Sequence, residues 1–243
     1  MQSLPKVALT LLAAVLYHHS QSPPVKSEVT VTVEEQKKAS DAASIPFGER
    51  LIPYAAPAGN AIYWLMALTE IAATLATRHP EGPISQHILS VLKSPVANSS
   101  LPGRLTTSSL SGSILVIAGS LIRLRCYREM GRQFTFRLTV RDGHKLITTG
   151  PYNVVRHPSY TGGIMSVIGF AILFVGRGSW WREGGYKGPY GKFCSILVAA
   201  AIGWKLKVFT RAGREDHFLR KQFKAEWEDW ARRVPSRYLP GIY

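Results

Sequence analysis

Apolar residues in this chain gather into blocks too long for strands, and polar or basic stretches divide the blocks. The first block, "VALTLLAAVLY" from Val7 to Tyr17, follows Lys6 and runs for eleven residues. That length suits the core of a signal peptide, and extension through Leu4 makes it a short first membrane helix instead; the pattern leaves both readings open. Residues 20–50 are rich in Ser, Pro, Glu and Lys without periodicity and read as a flexible loop. Residues 58–77, "AGNAIYWLMALTEIAATLAT", form a second span. Residues 78–104 read as a Pro- and Gly-punctuated loop that includes "ANSS", with one short apolar piece, "HILSVL", lying on the membrane surface.

Three further spans follow, at 105–122, 159–176 and 193–209. The first of these carries Gly112 and Gly119, small residues that let helix backbones approach. Between the last two, "GRGSWWREGGYKGPYGK" has six glycines and paired tryptophans and reads as an interfacial turn. Lys205 and Lys207, near the end of the last span, are expected to snorkel toward the headgroups. After Arg211 the pattern changes: Phe218, Leu219, Phe223, Trp227 and Trp230 recur at helical spacing among charges, an amphipathic helix that Pro235 ends. The pattern thus predicts an all-α, polytopic helical membrane protein with about five transmembrane helices and a C-terminal amphipathic helix. It divides the chain into an N-terminal apolar segment and loop (1–57), membrane helices (58–125) and a C-terminal region (126–243).

Charge supports this division. The 30 Lys and Arg against 15 Asp and Glu give a net charge of +15, which by itself suits a nucleic-acid binder as well as a membrane protein. Position decides. Arg123, Arg125, Arg128, Arg132, Arg137, Arg141 and Lys145 follow one apolar block and the bases of 205–237 follow another, the arrangement of basic cytoplasmic loops rather than of a nucleic-acid surface. If both clusters are cytoplasmic, the last two spans form a hairpin that returns to its starting side and brings 144–160 close to 211–238. Glu70, an acid inside a span, is either functional or paired with a base on a neighbouring helix. Cys126 and Cys194 form no CxxC or Cys/His pattern, and His18, His19, His79 and His87 have no ligand spacing, so no metal site is expected. No glycine-rich loop follows a strand, which leaves any cofactor pocket to helices and loops.

Three segments carry candidate chemistry: "HKLITTGPY" from His144, "RHPSYTG" from Arg156, and "RAGRED" from Arg211 with the continuation to "VPSRYLPGIY". Their order around one apolar hairpin resembles the isoprenylcysteine carboxyl methyltransferase family of the endoplasmic reticulum, over roughly the last 115 residues. The resemblance implies methyl transfer from S-adenosylmethionine to the C-terminal carboxylate of a farnesylated or geranylgeranylated cysteine in prenylated CaaX proteins. It implies a multi-pass protein of the endoplasmic reticulum membrane, in contact with lipid and with its site facing the cytoplasm. It implies cofactor contacts from His144, Lys145, Leu146, Ile147, Tyr152, His157, Pro158, Ser159, Tyr160 and Glu215. Arg211 matches an arginine associated with the prenylcysteine, so Arg211 and Glu215 become the catalytic pair. The chain has Glu215-Asp216 where the family often has Glu-Glu, and Thr139 stands nearest to a family glutamine upstream of His144.

The chemistry agrees with such a site. A carboxylate is ionised at neutral pH, so its attack on a methyl sulfonium requires alignment and exclusion of water rather than a strong base. Arg211 offers a planar, permanently charged fork for that carboxylate. Arg156 has two readings, a headgroup-binding residue at the start of a span or an organiser of the pocket. His157-Pro158 can open a helix as well as contact a cofactor, since proline gives up an N–H that has no partner there. Three other functions compete: a phospholipid N-methyltransferase, which has no need of Arg211; an NADPH-dependent membrane sterol or enone reductase, which shares an Arg-His-x-x-Tyr element and an aromatic tail; and a non-catalytic adaptor whose basic loops bind anionic lipid.

Overall fold

A computed structural model describes residues 3–22, 52–92, 104–131 and 145–242. Most of the expected 20–50 loop, the "ANSS" segment, Arg132, Arg137, Thr139, Arg141 and His144 lie outside the described residues. The described chain is helical throughout: α1 (Ser3–Gln21), α2 (Ile52–Arg78), α3 (Pro83–Leu92), α4 (Thr107–Met130), α5 (Pro158–Val175), α6 (Pro189–Phe209), α7 (Ala212–Phe223) and α8 (Ala225–Arg233). Three stretches among the described residues are long and apolar enough to cross a membrane: Thr107–Met130, Pro158–Val175 and the run Pro189–Phe223. In that run, α6 carries the apolar sequence, and α7 is charged.

The central contact is between α4 and α5, and glycine makes it possible. A β-carbon added at Gly119 or Gly162 would stand 2.4 Å from the other residue's carbonyl oxygen. Backbones can meet this closely only where both side chains are absent. Gly112 and Gly169 repeat the approach at the other end of the pair. Thr106 caps α4: its hydroxyl accepts the Ser109 N–H at 3.2 Å while the Ser109 hydroxyl accepts the Thr106 N–H at 2.8 Å. Such a reciprocal box satisfies two backbone donors that a helix start leaves open.

Helix α1 packs against α2 and α4 through Ala13, Ala14 and Tyr17, with Tyr17 stacked on Tyr63 at 4.2 Å between ring centroids. Glu70 has the partner that its position demanded. Its Oε1 accepts from the Lys6 ammonium at 2.5 Å and its Oε2 from the Trp180 backbone N–H at 2.8 Å, while Lys6 also donates to the Gly178 carbonyl at 2.7 Å. One neutralised pair therefore joins α1, α2 and the turn after α5.

Three sequence expectations change. The "HILSVL" piece is not a surface strip alone: it belongs to α3, and Leu89 and Leu92 are buried. The tryptophan turn is not purely interfacial, because Trp180 is buried, donates its indole N–H to the Leu92 carbonyl at 3.1 Å, and fills the space that a side chain at Gly185 would need. The amphipathic tail is two helices. Lys224 has φ of 48°, a left-handed conformation that ends α7 and starts α8 at an angle to it. The bend lets Leu219, Phe223, Trp227, Trp230 and Val234 all reach the cluster formed by Cys126, Leu146, Ile147 and Tyr152.

Candidate active site

The hairpin of α5 and α6 returns the chain to the end of the bundle where α4 finishes, and the tail folds over that end. There, residues 145–160 meet 205–238 around a cavity of about 250 Å³. Of the residues expected to hold a cofactor or substrate, Lys145, Leu146, Ile147, Tyr152, His157, Ser159, Tyr160, Arg211 and Glu215 all line it. Pro158 stands apart from the wall: it is buried at the first position of α5, where its fixed φ and missing N–H suit a helix start.

His157 is the electrostatic centre. Its Nε2 lies 2.8 Å from Asp216 Oδ1 and its Nδ1 3.5 Å from Glu215 Oε2. Burial disfavours the charged imidazole, but the two carboxylates outweigh burial and hold its pKa above the ordinary value. Both acids shift the other way. Burial opposes their ionisation, yet His157, aided by Arg211 for Glu215 and by Arg156 and Arg237 for Asp216, holds each carboxyl below its usual range. All three directions favour an imidazolium between two carboxylates. Tyr160 completes the cluster by donating its hydroxyl to Glu215 Oε1 at 2.7 Å, and Arg211 Nε stands 3.3 Å from the same oxygen.

Asp216 turns out to be more than a variant of a glutamate. It accepts from His157, lies 3.4 Å from Arg156 Nη2 and lies 3.1 Å from Arg237 Nε. Arg156 and His157 are neighbours, but Asp216 and Arg237 are remote from them in sequence, so no local spacing announced the hub. Arg156 is a buried staple for the tail rather than a headgroup binder. Its Nη1 donates to the Val234 carbonyl at 2.9 Å and the Pro235 carbonyl at 2.7 Å, and its guanidinium lies over the Trp227 ring at 6.0 Å. The backbone repeats the link, with Arg156 N–H donating to Ser236 and His157 N–H to Arg237. Tyr152 is buried beneath, its carbonyl accepting the Trp230 indole N–H at 3.1 Å.

Arg123 was read only as part of a basic cluster, and it proves to be a wall of the cavity. It donates to the Ser20 carbonyl at 3.0 Å, to the Ser159 carbonyl and hydroxyl at 3.1 Å each, and to the Tyr127 hydroxyl at 2.9 Å. Four residues after Gly119 on α4, it sits one helical turn from the close α4–α5 crossing, which is the one signal in the sequence that aims it toward α5.

A second cavity, of about 300 Å³, opens beside the first and is almost wholly apolar, lined by Tyr63, Val167, Phe170, Ala200 and Ile202 among others. The two share Ala55, Trp204 and Lys205 as a common wall. A polar chamber and an apolar groove with one wall between them suit a reaction between a polar reactant and a lipid-like one.

Residues 112–179 match the model of the isoprenylcysteine carboxyl methyltransferase family. The matched stretch holds the α4–α5 crossing, Tyr152, His157 and Tyr160; Arg211, Glu215 and Asp216 complete the site from outside it. Similar curated proteins include protein-S-isoprenylcysteine O-methyltransferase B of Arabidopsis thaliana, 28% identical over 127 residues, 51% of this chain and 56% of that one. A probable protein-S-isoprenylcysteine O-methyltransferase of Oryza sativa subsp. indica is 33% identical over 138 residues, covering 55% of this chain and 62% of that protein. The chain thus spans somewhat over half the length of these methyltransferases. A Delta(14)-sterol reductase of Gibberella zeae is 25% identical over 126 residues, 44% of this chain and 26% of the reductase. The isoprenylcysteine carboxyl methyltransferase family read from the motifs is therefore the one the comparisons support, with the reductases sharing less of their length.

Proposed function

We propose that the protein methylates the C-terminal carboxylate of prenylated cysteine, with S-adenosylmethionine as the methyl donor and prenylated CaaX proteins as substrates. The observation that carries this reading is the common wall of the polar chamber and the apolar groove. A zwitterionic donor belongs in the first and a prenyl chain in the second, and the reacting atoms meet where the two join.

The chamber residues fit the donor. Leu146, Ile147, Leu219 and Trp230 give apolar walls for a flat ring, and Glu215 gives a fixed negative charge for an amino or sulfonium group. Lys145, at the exposed lip, suits its carboxylate. When bound, S-adenosylmethionine supplies a methyl group activated by its positively charged sulfur. The acceptor carboxylate contributes the electron pair for the new bond to carbon, so no proton has to be removed. The protein's work is then to orient and to exclude water, a contribution of about 7–11 kcal/mol for well-aligned reactants. His157 and Tyr160 hold Glu215 in place, and Arg211 stands on the same rim for the substrate carboxylate. In this reading, 126–243 is the catalytic region, and α1 and α2 add two spans to the three apolar stretches, with Lys6 and Glu70 neutralising each other in the bilayer. The chamber end faces the cytoplasm of an endoplasmic reticulum membrane, on the side of the basic clusters.

Membranes containing the protein, supplied with labelled S-adenosylmethionine and either a farnesylcysteine analogue or phosphatidylethanolamine, test the reading. Label is expected in the farnesylcysteine methyl ester. A folded protein that labels the phospholipid alone, or neither acceptor, sinks it.

A further inference from the structure

The last lysines of the second hairpin helix should snorkel outward by sequence pattern, and Lys207 is indeed exposed. Lys205 is not. Its ammonium turns inward, donates to Gln21 Oε1 at 2.5 Å and lies 5.9 Å from the centroid of the Tyr17 ring. It is also one of the three residues that line both the polar chamber and the apolar groove.

The charges around this junction do not balance locally. Arg211 faces Glu215, and among the described residues Arg123 donates to neutral groups, two carbonyls and two hydroxyls. Among the described residues no carboxylate pairs with Lys205. Its partner is a neutral amide, which occupies one of the three ammonium donors. A cation drawn into a low-polarity junction without a counter-charge is costly, and an anion seated beside it removes that cost.

We infer that Lys205 binds the carboxylate of the prenylated cysteine, with its prenyl chain in the apolar groove. This rests on the methyl-transfer reading above and sharpens it by adding, to the contact from Arg211, a second carboxylate contact at the wall between the chambers. In a prenylcysteine the carboxylate lies a few bonds from the thioether that starts the apolar chain. A molecule lying in the groove therefore presents its charge at the groove's polar end, where Lys205 stands. Gln21 holds the ammonium at the groove's polar end, so the N-terminal helix α1 takes part in recognising the acceptor although it lies outside the stretch that matches the family.

The test compares binding of farnesylcysteine with binding of its primary amide, by calorimetry on the full-length protein in lipid nanodiscs, beside methyl transfer to farnesylcysteine. Wild-type protein is expected to favour the carboxylate by about tenfold or more, the usual size of a charge-assisted hydrogen bond. Lys205→Met is expected to cut that preference several-fold, change amide affinity much less than carboxylate affinity, and raise KM for farnesylcysteine more than it lowers kcat. Lys205→Arg should keep the preference in part. Lys205→Gln, which retains a polar partner for Gln21, supplies the same comparison if Met disturbs folding. A Lys205→Met or Lys205→Gln protein that prefers the carboxylate as strongly as the wild type overturns the assignment. Absence of methyl transfer in wild-type protein overturns the functional reading instead, and the binding comparison separates the two outcomes.

Discussion

His157 Nε2 lies 2.8 Å from Asp216 Oδ1, a buried contact that joins the start of α5 to the second turn of α7. Asp216 also faces Arg156 and Arg237, so one carboxylate holds three cations from two segments, the Arg156-His157 pair and the tail. Removing its charge leaves Arg156 and His157 buried around a neutral amide, beside the half-exposed Arg237. Asp216→Asn should therefore destabilise the protein by about 3–5 kcal/mol, the usual cost of breaking a buried pair from one side. Denaturation in detergent with fluorescence of Trp227 and Trp230 reads both stability and release of the tail; an unchanged unfolding midpoint would contradict the hub.

The same cluster sets a pH dependence. The His157 pKa is raised above its ordinary 6.5, so its contribution is complete below that value and disappears as pH climbs through the raised one. Glu215 and Asp216 are lowered from 4.5 and 3.8, so theirs is complete above those values and disappears as acid brings pH through the lowered ones. Stability of the docked tail should be greatest between the two ranges and fall on the alkaline side. His157→Asn should flatten that alkaline fall in a series of melting curves; a slope equal to the wild type's would show that another group titrates.

Glu215 and Arg211 divide the labour between the two reactants in the proposed reaction, although they stand only 3.3 Å apart. Glu215→Gln is expected to weaken binding of S-adenosylmethionine, and Arg211→Ala to raise KM for the prenylated acceptor. Direct titration with the methyl donor separates these effects, and equal losses of both affinities in each variant would refute the division.

Lys6 and Glu70 form a pair that neither helix tolerates losing singly. Glu70→Leu should cost about 3–5 kcal/mol by stranding the ammonium, and Lys6→Met added to it should recover most of the loss, because two apolar residues replace a buried pair at little cost. The double-variant comparison is decisive: additive losses would mean the pair is not coupled.

At Gly162 any side chain strikes the Gly119 backbone. Gly162→Val should destabilise the α4–α5 pair by about 3 kcal/mol, the upper end for overpacking. Gly203→Ala on α6, where the added methyl group meets nothing within 4 Å, serves as the control and should leave the unfolding midpoint at or above the wild-type value.

The sequence announced helices and glycine seams clearly, because both are local: a period of 3.6 and a small residue every turn are visible within one segment. The cation that Glu70 would need was also legible as a demand for a partner, though not that Lys6 would meet it. What escaped was direction. Lys205 and Lys207 look alike in sequence, yet a difference of two residues turns them by about 200° around a helix, one toward the cavity and one away. The break at Lys224 escaped because a lysine gives no sign of a left-handed backbone. The part played by Arg156 depended on carbonyls of the tail that no motif marks.

Those carbonyls have a further meaning for how the molecule comes together. Arg156 binds the Val234 carbonyl across 78 residues of chain, and Arg123 binds the Ser20 carbonyl across 103, whereas Gly119 and Gly162 meet across a shorter connection. Closing so long a loop comes late, since its entropy must be offset by contacts already made. The α4–α5 pair then forms before the chamber, whose walls depend on both long closures and are among the last parts of the protein to assemble.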